Sequence, residues 1–128
     1  GERAVFLVNI TNPCWIWKGA DLTKYGRVRV TVGQIPFNFQ IGKDAANIVL
    51  HKPATAHGEL EMRLDRCDGP RFDYASLEPA VKDHALTRLP PIIVGRQEGK
   101  HDLCFRFTRA KADPIWTISS IELMPRED

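Results

Sequence analysis

Gly99-Lys-His-Asp-Leu-Cys-Phe-Arg-Phe107 and, after a short loop from Thr108 to Asp113, Pro114-Ile-Trp-Thr-Ile-Ser-Ser-Ile-Glu-Leu-Met124 decide the fold of this chain. Each half alternates apolar and polar residues. Period two puts Leu103, Phe105 and Phe107 on one face of a strand, and Trp116 and Ile118, then Ile121 and Leu123, on one face of the next. Two such strands closing a small domain predict an antiparallel β-fold that carries its function in loops.

The same signal recurs upstream. Ala4 to Ile10 is an apolar run broken at Thr11-Asn-Pro13, and Cys14-Trp-Ile-Trp-Lys18 alternates after it. Arg27-Val-Arg-Val-Thr-Val32 reads as a half-buried strand with Val28, Val30 and Val32 inward. Phe37 to Ile41 and Asn47 to Leu50 read as further strands, giving an extra hairpin between Gly33 and Gly58. Glu59-Leu-Glu-Met-Arg-Leu64 alternates, and Asp65-Arg-Cys-Asp-Gly-Pro70 is a tight turn. Phe72 to Leu77 and Thr87 to Val94 carry weaker strand signals, with Pro90-Pro91 confining the latter to an edge or a bulge. Leu77 to Leu86 lacks a sustained helical period and contains Pro79. Short strands separated by turn residues describe a sandwich or a barrel.

The 128 residues fit one domain, spanning 1–128, and can bury a real core. A composition of 43% hydrophobic and 27% charged residues is that of an ordinary globular domain. The formal charge of +2, with no basic run, gives no argument for nucleic acid. No stretch approaches the roughly 20 apolar residues of a membrane span. No signal-peptide pattern opens the sequence, and Gly1-Glu2-Arg3 reads as the edge of a cut domain from which targeting information was removed.

Cys14, Cys67 and Cys104 are odd in number and lack CxxC spacing. Each lies in or beside an apolar pattern, so free, buried thiols are expected in preference to a disulfide or a metal site. The redox compartment is left open.

Catalytic motifs are missing: there is no GxSxG, no HExxH, no phosphate-binding glycine loop and no paired carboxylates. Asp83-His84 and His101-Asp102 are sequence neighbours, which a strand points to opposite faces. His51, His57, His84 and His101 are therefore read as surface or satisfied polar residues. Asp65, Asp68 and Asp73 resemble a calcium loop only in composition, without the closing glutamate of an EF-hand. Trp15, Trp17, Trp116, Phe105 and Phe107 fit core positions in alternating strands. Phe37 and Phe39 also fit strand core by residue type, yet sit among Gln34, Asn38 and Gln40. Aromatics beside amides can bind sugars, because a ring stacks on a pyranose C–H face while amides pair with hydroxyls.

Three segments in this order resemble the family 6 carbohydrate-binding modules, jelly-roll sandwiches appended to bacterial glycoside hydrolases. Trp15 to Val32 resembles the family's strand, its "n-x-D-L" turn and the following strand. Gly58-Glu-Leu-Glu-Met-Arg-Leu-Asp-Arg-Cys-Asp-Gly-Pro70 resembles G-x-I-E-L-R-L-D-s-x-x-G-P. Gly99 to Phe107 resembles G-t-H-D-L-Y-L-V-F, with Trp116 to Leu123 as last strand. Departures are equally specific. The family's later tryptophan has no counterpart near Asp83-His84. Its asparagine opening the last strand is Thr117, the aspartate after it is Ser119, and Ala4 to Ile10 lacks the glutamate that holds a structural calcium.

The resemblance implies an all-β fold, an antiparallel β-sandwich of jelly-roll type. It implies non-catalytic carbohydrate binding as an accessory module of a bacterial glycoside hydrolase, with a hexosaminidase-type parent as the general impression. A structural domain that packs on its catalytic neighbour and has lost the sugar cleft is the alternative. Expected partners are an oligosaccharide or polysaccharide and a catalytic domain of the same polypeptide, with no nucleic acid and no membrane. The expected place is extracellular or periplasmic. No cofactor and no metal are expected, a structural calcium lacking support. Phe37, Asn38, Phe39 and Gln40 are the candidate ligand-binding residues, faced by His84, Asp113 and Trp116.

Overall fold

Alternation becomes pairing over most of the chain. The computed structural model describes residues 2–4, 14–35, 52–69, 71–82, 86–95, 97–108 and 115–126. Its strands are β1 (Glu2–Ala4), β2 (Trp15–Asp21), β3 (Tyr25–Ile35), β4 (Glu59–Leu64), β5 (Arg71–Ser76), β6 (Thr87–Arg88), β7 (Ile92–Ile93), β8 (Lys100–Thr108) and β9 (Ile115–Pro125). One sheet runs β1-β9-β3-β6, with β7 also paired to β3, and the other runs β2-β8-β4-β5. Every pairing among the described strands is antiparallel. The molecule is an antiparallel β-sandwich.

The alternating strands read from the sequence supply the centre. Val28, Val30 and Val32 of β3 meet Leu103, Phe105 and Phe107 of β8 in one buried cluster, joined by Leu60 and Met62 of β4. Burying one such aliphatic or aromatic side chain is worth about 1.5–3 kcal/mol. In β9, Trp116, Ile118, Ile121 and Leu123 are all buried, although the step from 118 to 121 breaks period two. A bulge explains it. Ser120 pairs with Thr31 and Ile118 with Val32, leaving Ser119 as an extra residue that resets the inward face. Strand β2 repeats the device: Trp17 pairs with Leu103 and Ala20 with His101, so both face the core. Gly19 supplies the left-handed backbone there, at φ +67°.

The weak strand signals resolve into short elements. Phe72–Leu77 is realised as β5, and Thr87–Val94 as the two-residue strands β6 and β7 on either side of Pro90-Pro91. Pro79 lies in a 3-10 turn, Glu78–Ala80. The strands expected at 5–10, 37–41 and 47–50 fall outside the described residues.

The cysteines correct the sequence reading. Cys14 and Cys67, 53 positions apart, form a disulfide, and Cys104 alone is free and buried. The cause is the turn after β4. Asp65 N–H donates to the Asp102 carbonyl at 2.7 Å, Gly69 N–H donates to the Arg66 carbonyl, and the Arg63 guanidinium donates to the Gly69 carbonyl. These bonds fold residues 65–69 back onto the sheet. Cys67 is thereby brought across β8 to Cys14, at the head of β2.

Candidate functional site

The loop end of the sandwich is where β3 and β8 finish and β9 begins. Gln34 pairs with Trp116 and Ile35 with Ile115 in the last rungs of the β3–β9 ladder. The Gln34 side chain leaves that ladder sideways, and its Nε2 donates to the carbonyls of Ala80 (3.0 Å) and Val81 (3.2 Å). The 3-10 turn is thus tied to the end of β3. Leu86, just before β6, lies over Gly33: a Cβ added there would come within 3.0 Å of Leu86 Cδ2 and 3.2 Å of Thr117 Oγ1. Any larger residue there would have to push the Leu86 methyl and the Thr117 hydroxyl back by a few tenths of an ångström. The described residues that flank positions 36–51, 83–85 and 109–114 are therefore neighbours at one end.

Glu59 opens β4 at the same end, with its side chain in the protein interior. Its carboxylate accepts from the N–H groups of Ala54 and Thr55, both at 2.9 Å, and from the hydroxyls of Thr55 and Thr108. Burial raises this carboxyl, but the Thr55 hydroxyl, the two amides and Thr108 outweigh it and hold it below its ordinary value. A buried carboxylate with four donors is satisfied, and it fixes residues 54–58 against β8. Sequence reading missed it because charged residues at alternate positions look like a solvated face.

The seven residues singled out from the sequence divide sharply. Phe37, Asn38, Phe39, Gln40, His84 and Asp113 lie outside the described residues. Trp116 lies within them and is buried, its ring stacked on Phe107 with centroids 6.3 Å apart and planes at 24°. Its place on the inward face of β9 makes it core, which corrects its reading as a wall of the ligand site.

The opposite end closes on itself. Asp65, at φ +69°, accepts from His101 Nδ1 at 3.1 Å and from the Asp102 N–H at 3.2 Å. His101 Nε2 faces the Glu98 carbonyl at 2.9 Å. Both neighbours are acceptors, an arrangement that favours the doubly protonated ring. The Asp65 hydrogen bond, then the Glu98 carbonyl, raise His101 above its ordinary value, and Asp65 is lowered chiefly by His101. An imidazolium held at both nitrogens is no general base.

The outer face of the β2-β8-β4-β5 sheet carries a further charge cluster among the described residues. Glu61 accepts from Arg63 Nε at 3.0 Å and from Arg106 Nε. Burial raises the Glu61 carboxyl, and the hydrogen bonds and charges of Arg106 and Arg63 bring it below its ordinary value. Tyr74 on β5 is exposed, with the Arg71 guanidinium 4.8 Å above its ring. That ring face is occupied by a cation.

The chain matches no family model and no curated protein. Among solved structures it is similar to a glycoside hydrolase family 43 arabinoxylan arabinofuranohydrolase from Bacillus subtilis, crystallised with cellotetraose. That likeness has a TM-score of 0.60 at 15% identity over 91% of this chain, which spans only 20% of the enzyme. It is also similar to a family 6 carbohydrate-binding module from Clostridium cellulolyticum in complex with xylose, with TM-score 0.57 and 16% identity. Here the match takes in 88% of this chain and 72% of the module. The fold is that of a family 6 carbohydrate-binding module.

Proposed function

We propose that this domain is a non-catalytic carbohydrate-binding module attached to a glycoside hydrolase. The observation that carries the reading is the fold match to a xylose-bound family 6 module over 72% of its length. The loop end supports it, because a rigid frame of β3, β9 and the 3-10 turn presents three neighbouring connections, and ligand residues favour loops on a rigid scaffold. Phe37, Asn38, Phe39 and Gln40, with His84 and Asp113, are the residues we assign to the sugar. Binding is by ring stacking and hydroxyl hydrogen bonds, without bond breaking. A parent acting on N-acetylhexosamine glycans and an extracellular or periplasmic location complete the proposal. The Cys14–Cys67 disulfide supports an oxidising compartment.

The docking alternative requires a contiguous apolar patch away from the loops. Among the described residues the exposed large apolar ones include Ile16 on β2 and Tyr74 on β5, at opposite edges of one sheet, with Leu86 before β6 and Ile93 on β7. Calorimetric titration with xylo-, cello- and N-acetylhexosamine oligosaccharides tests the reading. The expected result is weak binding that a folded Phe39→Ala variant loses, since stacking contributes about 1 kcal/mol beyond burial. If none of the three glycan classes binds, the reading fails. A Phe39→Ala variant that binds as the parent does moves the site elsewhere.

A further inference from the structure

A thiol that solvent cannot reach lies beside a disulfide. Cys104 is free and fully covered, although Leu103 and Phe105 on either side of it face the core and its own side of β8 faces outward. The Cys14–Cys67 bridge crosses β8 at this point, and the three Sγ atoms lie within 4.8 Å of one another. Burial keeps external oxidants and alkylating agents from this thiol. It does not keep the thiol from the bridge.

We propose that Cys104 exchanges with the bridge from within and carries the free thiol of the domain from the core to Cys67. The Cys104 thiolate attacks Cys14 Sγ, the Cys14–Cys104 bond forms, and the Cys14–Cys67 bond breaks. Cys67 leaves as a thiolate and takes up the proton that Cys104 lost. One bridge and one thiol are present before and after, so the step needs neither oxidant nor reductant. Cys67 is half-buried where Cys104 is fully covered, so the product presents a thiol that a disulfide of a low-molecular-weight thiol can capture.

The sheet selects Cys14 as the sulfur attacked. Cys104 pairs with Ile16, so Cys14, two residues before Ile16, stands diagonal to Cys104 on the same face. Diagonal Cα atoms across an antiparallel pair are about 7–8 Å apart, against about 4.4–6.8 Å in a disulfide. Closing the difference takes about 1 Å of movement, and Cys14 precedes the first rung of the β2–β8 ladder, Trp15 with Phe105. The turn that gives up the bridge keeps its other ties. Asp65 N–H to Asp102, Gly69 N–H to Arg66 and the Arg63 guanidinium to Gly69 hold residues 65–69 without sulfur.

Supply of the Cys104 thiolate sets the rate. Burial, then the carboxylates of Asp102 and Asp65, push this thiol up. Arg63 opposite it on β4 and Arg106 two residues along β8 bring opposing positive charge, with Lys18 on β2 and Arg66 in the turn farther along the chain. Below the thiol's own value the exchange should therefore quicken about tenfold per pH unit.

The test holds the folded, oxidised domain in excess iodoacetamide and maps labels and bridges by mass spectrometry after non-reducing digestion. Expected at pH 8 are one label, on Cys67, and a linked Cys14–Cys104 pair, both appearing about tenfold more slowly at pH 7. Cys104→Ser should take no label and keep its Cys14–Cys67 bridge. A label on Cys104 with that bridge intact means local opening without exchange and overturns the proposal. A label on Cys14, no label after days at pH 8, or labelling of Cys67 in Cys104→Ser overturns it as well. Unfolding is the rival route to a moved bridge. A labelling rate unchanged by urea below the transition supports exchange in the fold, whereas a rate that climbs with the unfolded fraction refutes it.

Discussion

Arg126 shows how much one side chain can hold. Its guanidinium donates to the carbonyls of Leu22, Val94, Gly95 and Gln97, gathering the β2–β3 turn and the segment before β8 around the end of β9. Its stem passes where a Cβ on residue 26 would stand, 2.5 Å from Arg126 Cγ, so Gly26 is required. Arg126→Ala should destabilise the domain by about 2 kcal/mol in urea unfolding, because hydrogen bonds from a charged donor to part-buried carbonyls are costly to lose. Arg126→Lys should recover less than half of that, since an ammonium cannot fork to four acceptors. Glu59 makes a second claim at this scale. Its folded value lies below its ordinary 4.5, so its contribution is present above 4.5 and is lost as pH falls through the folded value. Glu59→Gln should destabilise the domain by about 2 kcal/mol at pH 7 and flatten the acid limb of a stability-versus-pH profile. An unchanged acid limb would deny the carboxylate that role.

At the scale of elements, the bridge between Cys14 and Cys67 is the strongest single constraint. Closing 53 residues restricts the unfolded chain by about 4 kcal/mol in the entropy model, and measured effects usually fall to about 2–4. Cys14→Ser should therefore lower thermal stability by an amount in that range, read by calorimetry under non-reducing conditions. This constraint was invisible in the sequence for a physical reason. Spacing along the chain says nothing of a turn that hydrogen-bonds back over a sheet, and the Arg63 and Asp65 contacts that do so are tertiary. Period two, by contrast, is local. It revealed the inward valines of β3 and the inward faces of β8 and β9, because each follows from backbone pleat alone. It ran out at Ser119 and Gly19, where bulges reset the parity. Trp116 was read both ways at that level: parity with Ile118 put it in the core, where the structure has it, while a loop border suggested a binding wall. Of the candidate site the sequence conveyed the residue chemistry, and the described structure conveys the frame around it.

Across the whole molecule the two ends of the sandwich have separable roles, and pH can tell them apart. From His101 to Thr108, β8 advances seven residues, about 24 Å at strand rise, so the Asp65–His101 pair is remote from the Gln34–Trp116 end. His101 lies above its ordinary 6.5 when folded, and its contribution is complete below 6.5 and lost as pH rises through the folded value. Asp65 lies below its ordinary 3.8, and its contribution is present above 3.8 and lost as pH falls through the folded value. The pair is therefore worth most between about pH 4 and 6.5. Solvent reaches both partners, with 25% of the His101 side chain and 57% of the Asp65 side chain exposed, which holds the gain to about 0.5 kcal/mol. His101→Gln should cost that much at pH 6 and nearly nothing at pH 9, measured as the difference in urea midpoint from the parent. Glycan affinity at pH 6 should be the same in both proteins. A His101→Gln variant whose sugar binding falls along with its stability would place the ligand at the Asp65 end and refute the assignment to the loops beyond β3, the 3-10 turn and β8.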